Sequence, residues 1–283
     1  MVREVVRELH IKKGSLHIDA TLGTGGHALE ILNLGGQVLG IEMDPKMIEI
    51  VENRLKGKKN FKLVHGNFTK IDEIAKANGF DKVSGILFDL GVSNIHLKSL
   101  ERGFSFDNGV AELDMRLDPD TQNVKGSDLL NLLREDQLED LFAVTLDPGA
   151  AKWITGRVLH SRALKLIKTV SDLLEICRGL NTGKAGLNEA TLPFLALRIA
   201  VNSELDNLKE ALPKSFDLLE DGGRLVVISF HSKEDEIVKK FFKEKNLSKE
   251  AQMITFKPVM AGESEISVNR RARSAKMRIL QKI

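Results

Sequence analysis

The chain has a single cysteine, Cys177, among 283 residues. An internal disulfide is therefore excluded, and the composition fits a reducing compartment such as the cytoplasm. Cys177 ends the apolar stretch Leu173-Leu174-Glu175-Ile176-Cys177, which reads as a buried helix face and not as the setting of a nucleophile. No apolar run approaches the ~18–20 residues needed to span a bilayer. The opening Met1-Val2-Arg3-Glu4 has no signal-peptide pattern. Internal repeats and low-complexity segments are absent. The histidines, His10, His17, His27, His65, His96, His160 and His231, lack zinc-ligand spacing, so no metal is expected. Net charge is only +2, from 42 Lys and Arg against 40 Asp and Glu, so the total does not announce nucleic acid.

What is present is a proper core-forming composition, 42% apolar and 29% charged. That is the signature of a soluble globular protein, long enough for one large or two modest domains. The charges are unevenly spread. Residues 97–150 carry 12 acids against 5 bases, and residues 151–200 carry 8 bases against 3 acids. From Ile266 to the end there are six bases and no acid, a tail able to meet a phosphate backbone.

The stretch Asp19-Ala20-Thr21-Leu22-Gly23-Thr24-Gly25-Gly26-His27 organises the rest. Ser15-Leu16-His17-Ile18 before it suits a buried strand, and Ala28-Leu29-Glu30-Ile31-Leu32 after it continues a helix. A strand, a glycine-rich turn and a helix start form a nucleotide-type cradle, in which backbone passes close to a ligand and free N–H groups face it. Gly23, Gly25 and Ala28 also satisfy the G-x-G-x-x-G/A dinucleotide fingerprint. Asp19 argues against a pyrophosphate, because like charges repel. It suits a cationic ligand such as the methionine ammonium of S-adenosylmethionine (SAM).

Residues 2–10 read as a short amphipathic helix. The run 37–41 is a second strand ending on Glu42, placed to accept from both hydroxyls of a ribose. Asp44-Pro45 then opens a helix to about Leu55, with Asp44 as N-cap. Residues 61–65 make a third strand, leading to Phe68, whose ring is suited to cover an adenine. Residues 70–79 are helical, and 83–88 make a fourth strand ending at Asp89. Alternating strands and helices specify a doubly wound, mostly parallel sheet with ligands at the carboxyl ends of its strands. Asp19, Glu42, Phe68 and Asp89 all fall on that edge.

Beyond it the rhythm breaks. Helices are expected over 126–142 and 151–178, and Asn181-Thr182-Gly183-Lys184-Ala185-Gly186 reads as a flexible connector. The expected plan is a core over 1–96 and 191–283 with a small helical insertion over 97–190. A helix from Thr191 to Leu212 should bend or break at Leu212-Pro213. The sheet resumes with a fifth strand over 222–230. A helix over 232–245 and late strands over 253–256 and 275–280 complete the chain.

A doubly wound sheet with Asp19, the glycines, Glu42 and Asp89 resembles a class I SAM-dependent methyltransferase, a Rossmann-like α/β fold. The sequence also resembles one family closely, the RsmH (MraW) methyltransferases. The likeness is carried by DATLGTGGH, by Gly85-Ile86-Leu87-Phe88-Asp89-Leu90-Gly91-Val92-Ser93, by Arg102-Gly103-Phe104-Ser105-Phe106, and by Leu113-Asp114-Met115-Arg116. It continues through Ala196-Leu197-Arg198-Ile199-Ala200-Val201-Asn202-Ser203-Glu204-Leu205. It then takes in residues 222–232 and Arg271-Ala272-Arg273-Ser274-Ala275-Lys276. The resemblance implies methylation of N4 of a cytidine in the decoding region of bacterial 16S rRNA, SAM as cofactor and the small ribosomal subunit as partner.

Carried over position by position, it implies SAM contacts at Gly25, Gly26, His27, Glu42, Phe68, Asp89 and His96; Asp19 and Gly23 join them from the loop pattern. The family usually has Asp at position 42 and often Gln at 96. Its N-terminal His-x-Pro-Val segment has no counterpart here. Its Tyr-Gly-Glu-Glu stretch becomes residues 142–149, its Phe-Gln becomes Phe194-Leu195, and its Ser-Leu-Glu-Asp-Arg becomes Ser232-Lys233-Glu234-Asp235-Glu236. The four segment departures leave the expected cofactor site intact and bear on the RNA-facing details of the family plan.

An aromatic amine is a poor nucleophile, and an acceptor for its N–H localises the lone pair as the methyl arrives. Asp89, Asp114 and the main chain at Leu90-Gly91 are the candidates. Phe104 and Phe106 are placed to stack on an extruded base. Arg102, Arg116, Arg157, Arg162, Lys165, Arg270, Arg271 and Arg273 are candidate phosphate contacts. Three other readings stay open on the residues: an amino-methyltransferase for another nucleic acid such as DNA, a nicotinamide-dependent oxidoreductase, and a SAM-binding protein without catalysis.

Overall fold

The first helix, α1 (Val2–Glu8), leads into β1 (Leu16–Asp19), α2 (Gly26–Asn33), β2 (Gln37–Glu42), α3 (Pro45–Arg54), β3 (Phe61–His65), α4 (Ile71–Ala77) and β4 (Val83–Asp89). In this computed structural model the described residues are 1–283 apart from 99–100 and 184–185, and the side chains of Asn94, Lys98 and Arg271 also lie outside the description. Part of the expected connector 181–186 therefore falls outside it.

The helices α5 (Asn94–Lys98), α6 (Gly126–Leu132), α7 (Glu135–Ala143), α8 (Pro148–Leu164), α9 (Val170–Cys177), α10 (Thr191–Val201) and α11 (Glu204–Leu218) follow. The sheet resumes with β5 (Leu219–Ser229), then α12 (Ser232–Leu247), β6 (Ala251–Met253), β7 (Val259–Met260), α13 (Glu263–Val268) and β8 (Lys276–Lys282).

Among the described residues one sheet of eight strands runs in the order β3-β2-β1-β4-β5-β8-β6, with β7 paired to β8. The pairs β3/β2, β2/β1, β1/β4 and β4/β5 are parallel, and β8 runs antiparallel to its neighbours. The inner strands are buried on both faces, as their unbroken apolar runs require. The chain moves outward from β1 to β3 and then crosses back to β4 on the other side of β1. The winding therefore reverses between β1 and β4, and a doubly wound sheet opens its ligand crevice there.

The chain divides into two compact units, 1–91 with 205–283, and 92–204. This moves the second boundary from the expected position near 190 to 204. The reason is packing. Leu192, Phe194, Ala196 and Leu197 of α10 are buried in one cluster with Leu138, Phe142 and Ile154, all in the helical unit. The expected helix over 191–212 is accordingly two helices. They part at Asn202-Ser203, where Ser203 takes φ +49°, and not at Pro213, through which α11 continues. One lost backbone bond at Pro213 is outweighed by the burial of Leu208, Ala211, Leu212 and Phe216 along that helix.

The expected helix over 126–142 is also two, because Gln137 Oε1 accepts from Arg134 N at 3.1 Å and restarts the chain. The helix expected from 151 begins at Pro148 instead, capped by Asp147, which accepts from Gly149 N and Ala150 N. It ends at Leu164, and Thr169 with Asp172 opens α9 as a reciprocal capping box. Cys177 is buried there, and burial pushes its thiol up to about 12. No helix among the described residues is long and apolar enough to cross a membrane.

Candidate active site

The switch point brings two carboxylates and an imidazole together. Asp19 closes β1 and Asp89 closes β4, and Ala20 N donates to Leu87 O at 2.9 Å to hold the two strand ends side by side. His27, the second residue of α2, stands with Nε2 3.3 Å from Asp89 Oδ2. Thr21 Oγ1 accepts from the Asp89 main-chain N–H at 2.6 Å. Thr21 was not singled out from the sequence, although it lies inside the glycine loop. Only the register of β1 against β4 shows its role.

The loop between Asp19 and α2 is built to lie close to a ligand. Gly23 and Gly25 adopt φ +54° and +74°, a region L side chains rarely enter. Gly25 is the N-cap of α2 and no side chain caps that helix end, so the N–H groups of Gly26 and His27 face outward unclaimed by a cap. Gly40 on β2 makes the close approach possible. A Cβ there would lie 2.6 Å from Leu22 of the loop. From the far side, Arg54 donates to Thr24 O at 2.9 Å.

Glu42 does more than stand at a strand end. Its Oε2 accepts from Gly23 N at 2.7 Å, and its Oε1 accepts from Met43 N at 2.9 Å and Asp44 N at 2.8 Å. The carboxyl pins the glycine loop to the end of β2. Phe68 follows β3, half-buried, with its ring edge-on to Phe88 at 5.4 Å between centroids.

These groups perturb one another. Burial pushes Asp19 up to about 7; His27 opposes the shift and Asp89 adds to it. Burial likewise pushes Glu42 up to about 7, against the N–H bonds from Asp44, Gly23 and Met43. Burial pulls His27 down, but the hydrogen bond and charge of Asp89, with the charge of Asp19, outweigh it and hold the imidazole above its usual value. Asp19 Oδ2, His27 Nδ1 and Asp89 Oδ1 are buried without a hydrogen-bond partner. Three orphaned polar atoms in one crevice are costly unless a ligand meets them.

The sequence model of the MraW methylase family matches residues 1–283. The chain belongs to the MraW methylase family. Among similar proteins, the ribosomal RNA small subunit methyltransferase H of Caldicellulosiruptor bescii is 37% identical over 302 residues, covering 100% of this chain and 98% of its own. The protein of the same name from Persephonella marina is 39% identical over 289 residues, covering 99% and 97%. A Streptococcus mutans protein solved in complex with SAH matches the fold with a TM-score of 0.50 at 12% identity, over 100% of this chain and 98% of its own.

The other residues expected in the site of this MraW methylase lie in the helical unit or the tail. His96 is buried in the helical unit, where its Nδ1 accepts from Ser93 N at 3.0 Å and its ring lies 5.5 Å from Phe104. The substrate-side candidates make contacts within the protein. Asp114 gives both oxygens to Arg116, at 2.7 and 2.8 Å, and the bidentate pair fixes the carboxylate against the guanidinium. Arg116 also donates to Pro119 O and Gln122 O, and buried Arg102 donates to Arg116 O and Leu117 O. These guanidiniums hold a loop together.

Phe104 is buried, with Arg102 above its ring at 5.5 Å, and Phe106 packs edge-on to Phe194 at 4.7 Å. Arg157 and Arg162 donate to helix-terminal carbonyls, and Lys165 pairs with Asp172. In the tail, Arg273 is exposed, and the Arg271 side chain lies outside the described residues. His231 caps α12 and Glu234 Oε2 accepts from its N–H, a structural role at the end of β5.

Proposed function

We propose that this MraW methylase transfers a methyl group from SAM to the exocyclic N4 amine of a cytidine in the decoding region of small-subunit (16S) rRNA, in the cytoplasm. One observation carries the reading. Asp19, His27 and Asp89 meet at the switch point, each with a buried polar atom awaiting a partner. The residues fit SAM. Asp19 Oδ2 suits the ammonium, and the uncapped start of α2 suits the carboxylate. Glu42 stands at the strand end where a ribose lies in such folds, and Phe68 offers an apolar ring. A cation beside Asp19 and Glu42 favours their ionised forms and offsets the burial that raises both, whereas a pyrophosphate there would raise them further. This supports SAM over a nicotinamide dinucleotide.

Bound SAM supplies an electrophilic methyl on a sulfonium. Asp89 Oδ1 accepts an N–H of the amine and localises its lone pair, then takes the proton that leaves as the C–N bond forms. His27 holds the other oxygen and keeps the carboxylate turned toward the substrate. Thr21 fixes the backbone beneath it. The names of the relatives support the small ribosomal subunit as the source of the substrate.

Small subunits from cells lacking this activity, incubated with the protein and SAM and then digested to nucleosides, provide the test. N4-methylcytidine should appear by mass spectrometry. Its absence sinks the rRNA reading. Calorimetry that finds NAD binding and no SAM binding overturns the methyltransferase reading altogether.

A further inference from the structure

The basic residues of the tail fall into two groups in the structure. Arg278 is buried and gives Nε and Nη2 to Asp235 at 2.7 and 3.2 Å, and Lys276 reaches the same carboxylate at 3.4 Å. Lys282 donates to the carbonyls of Phe216 and Leu219. These three tie β8 to the core. Arg270 and Arg273 differ. Both are exposed, neither makes an ion pair among the described residues, and together with Ile266 and Ser267 they line a cleft of about 540 Å³.

The position of that cleft gives it meaning. β8 runs antiparallel to β5, with Lys276 opposite Ser229, the last residue of β5; Ile228 in turn lies beside Asp89. The segment before Lys276 therefore emerges at the same sheet edge as Asp89. Ala272, Ala275 and Ile266 pack in one cluster with Ala28 and Ile31 of α2, the helix that follows the glycine loop. One edge of this unit thus carries buried acids at its centre and two unpaired guanidiniums on a neighbouring turn. The first suit a cation, the second an anion.

We propose that the Arg270–Arg273 cleft binds a backbone phosphate of the substrate RNA strand, close to the nucleotide that is methylated. This rests on the rRNA reading for the identity of the strand. Guanidiniums match phosphate oxygens bidentately, and contacts of this kind fix register without reading sequence.

The experiment uses the full chain and a short fluorescein-labelled single-stranded RNA, titrated across a range of salt. Arg270→Ala with Arg273→Ala should weaken binding about tenfold or more and flatten the slope of log affinity against log salt by ~1.4, at ~0.7 per lost phosphate contact. Arg270→Lys with Arg273→Lys should keep most of the slope, because charge sets it. With small subunits as substrate, the alanine pair should raise KM and leave kcat and SAM affinity near wild type. SAM affinity also reports that the variant is folded. An unchanged salt slope in the alanine pair overturns the cleft, whatever the wild type methylates. A flattened slope in a protein that methylates no small-subunit RNA keeps the cleft and removes the rRNA reading.

Discussion

His27 Nε2 lies 3.3 Å from Asp89 Oδ2, and Asp89 in turn has its own N–H bound to Thr21 Oγ1 at 2.6 Å. The pair joins the start of α2 to the end of β4 across the strand-order reversal, so one residue from each half of the winding faces the same crevice. Asp89 keeps Oδ1 unpartnered. Replacing Asp89 by Asn preserves size and the bond to Thr21 but removes the proton acceptor. Methyl transfer should fall by about 10² or more in kcat, the usual scale for losing a positioned general base. The Kd for SAM should move much less. Single-turnover kinetics with calorimetry separates the two, and undiminished kcat would take Asp89 out of the reaction.

The two raised carboxyls predict a pH dependence of opposite sign with and without cofactor. Asp19 and Glu42 sit near 7 in the folded, ligand-free protein, far above their ordinary values of 3.8 and 4.5. The folded state thus keeps protons that the unfolded chain has already released. Their contribution to stability is present below about pH 4 and is lost as pH rises to about 7. A cationic ligand favours the ionised forms, so SAM should bind more tightly as pH rises from about 5.5 to about 7 and should expel protons on binding. Calorimetry in buffers of different ionisation enthalpy counts those protons. Asp19→Asn should reduce the count, and a wild-type count of zero would contradict the electrostatic account of the crevice.

Glu42 offers a sharper chemical test. Its two oxygens receive three N–H groups, from Gly23, Met43 and Asp44. Glu42→Gln replaces one oxygen by an NH₂ that must face a donor. Whichever way the amide turns, a buried N–H is left unmet, at a cost of about 1–3 kcal/mol. The midpoint of chemical denaturation should fall accordingly, and SAM affinity with it, because the glycine loop loses its anchor. Retained stability together with retained affinity would mean the loop holds its shape without Glu42.

The sequence made the crevice legible for a physical reason. Parallel strands buried on both faces are written as unbroken apolar runs, so the acids that end them, Asp19, Glu42 and Asp89, stand out and can be placed on one edge. What ties those acids together was not legible. Thr21 meets Asp89 across 68 positions of sequence, and the pairing exists only once β1 and β4 are in register. Charge type was a poor guide to charge use. Arg102, Arg116, Arg157 and Arg162 look alike in sequence to Arg270 and Arg273, yet the first four point at carbonyls of their own unit. The helix boundary at Asn202 was hidden by an apolar pattern that runs unbroken toward Pro213, and proline drew the expected break to the wrong place.

Asn202 also supplies a test confined to the helical unit. Its amide nitrogen donates to Met115 O at 2.8 Å and Arg198 O at 3.0 Å, and its Oδ1 accepts from Leu117 N at 2.9 Å. Met115 is held at φ +61°, a strained conformation for a side chain of that size. One buried amide therefore both terminates α10 and clamps the loop that carries Asp114 and Arg116. Asn202→Ala leaves those groups unmet and should destabilise the unit by about 1–3 kcal/mol. Hydrogen exchange should quicken at the Leu117 amide, while SAM binding, which depends on residues of the other unit, should stay near wild type. If Leu117 stays as protected as before, the loop is held by Arg102 and Arg116 alone, and Asn202 serves only to end the helix.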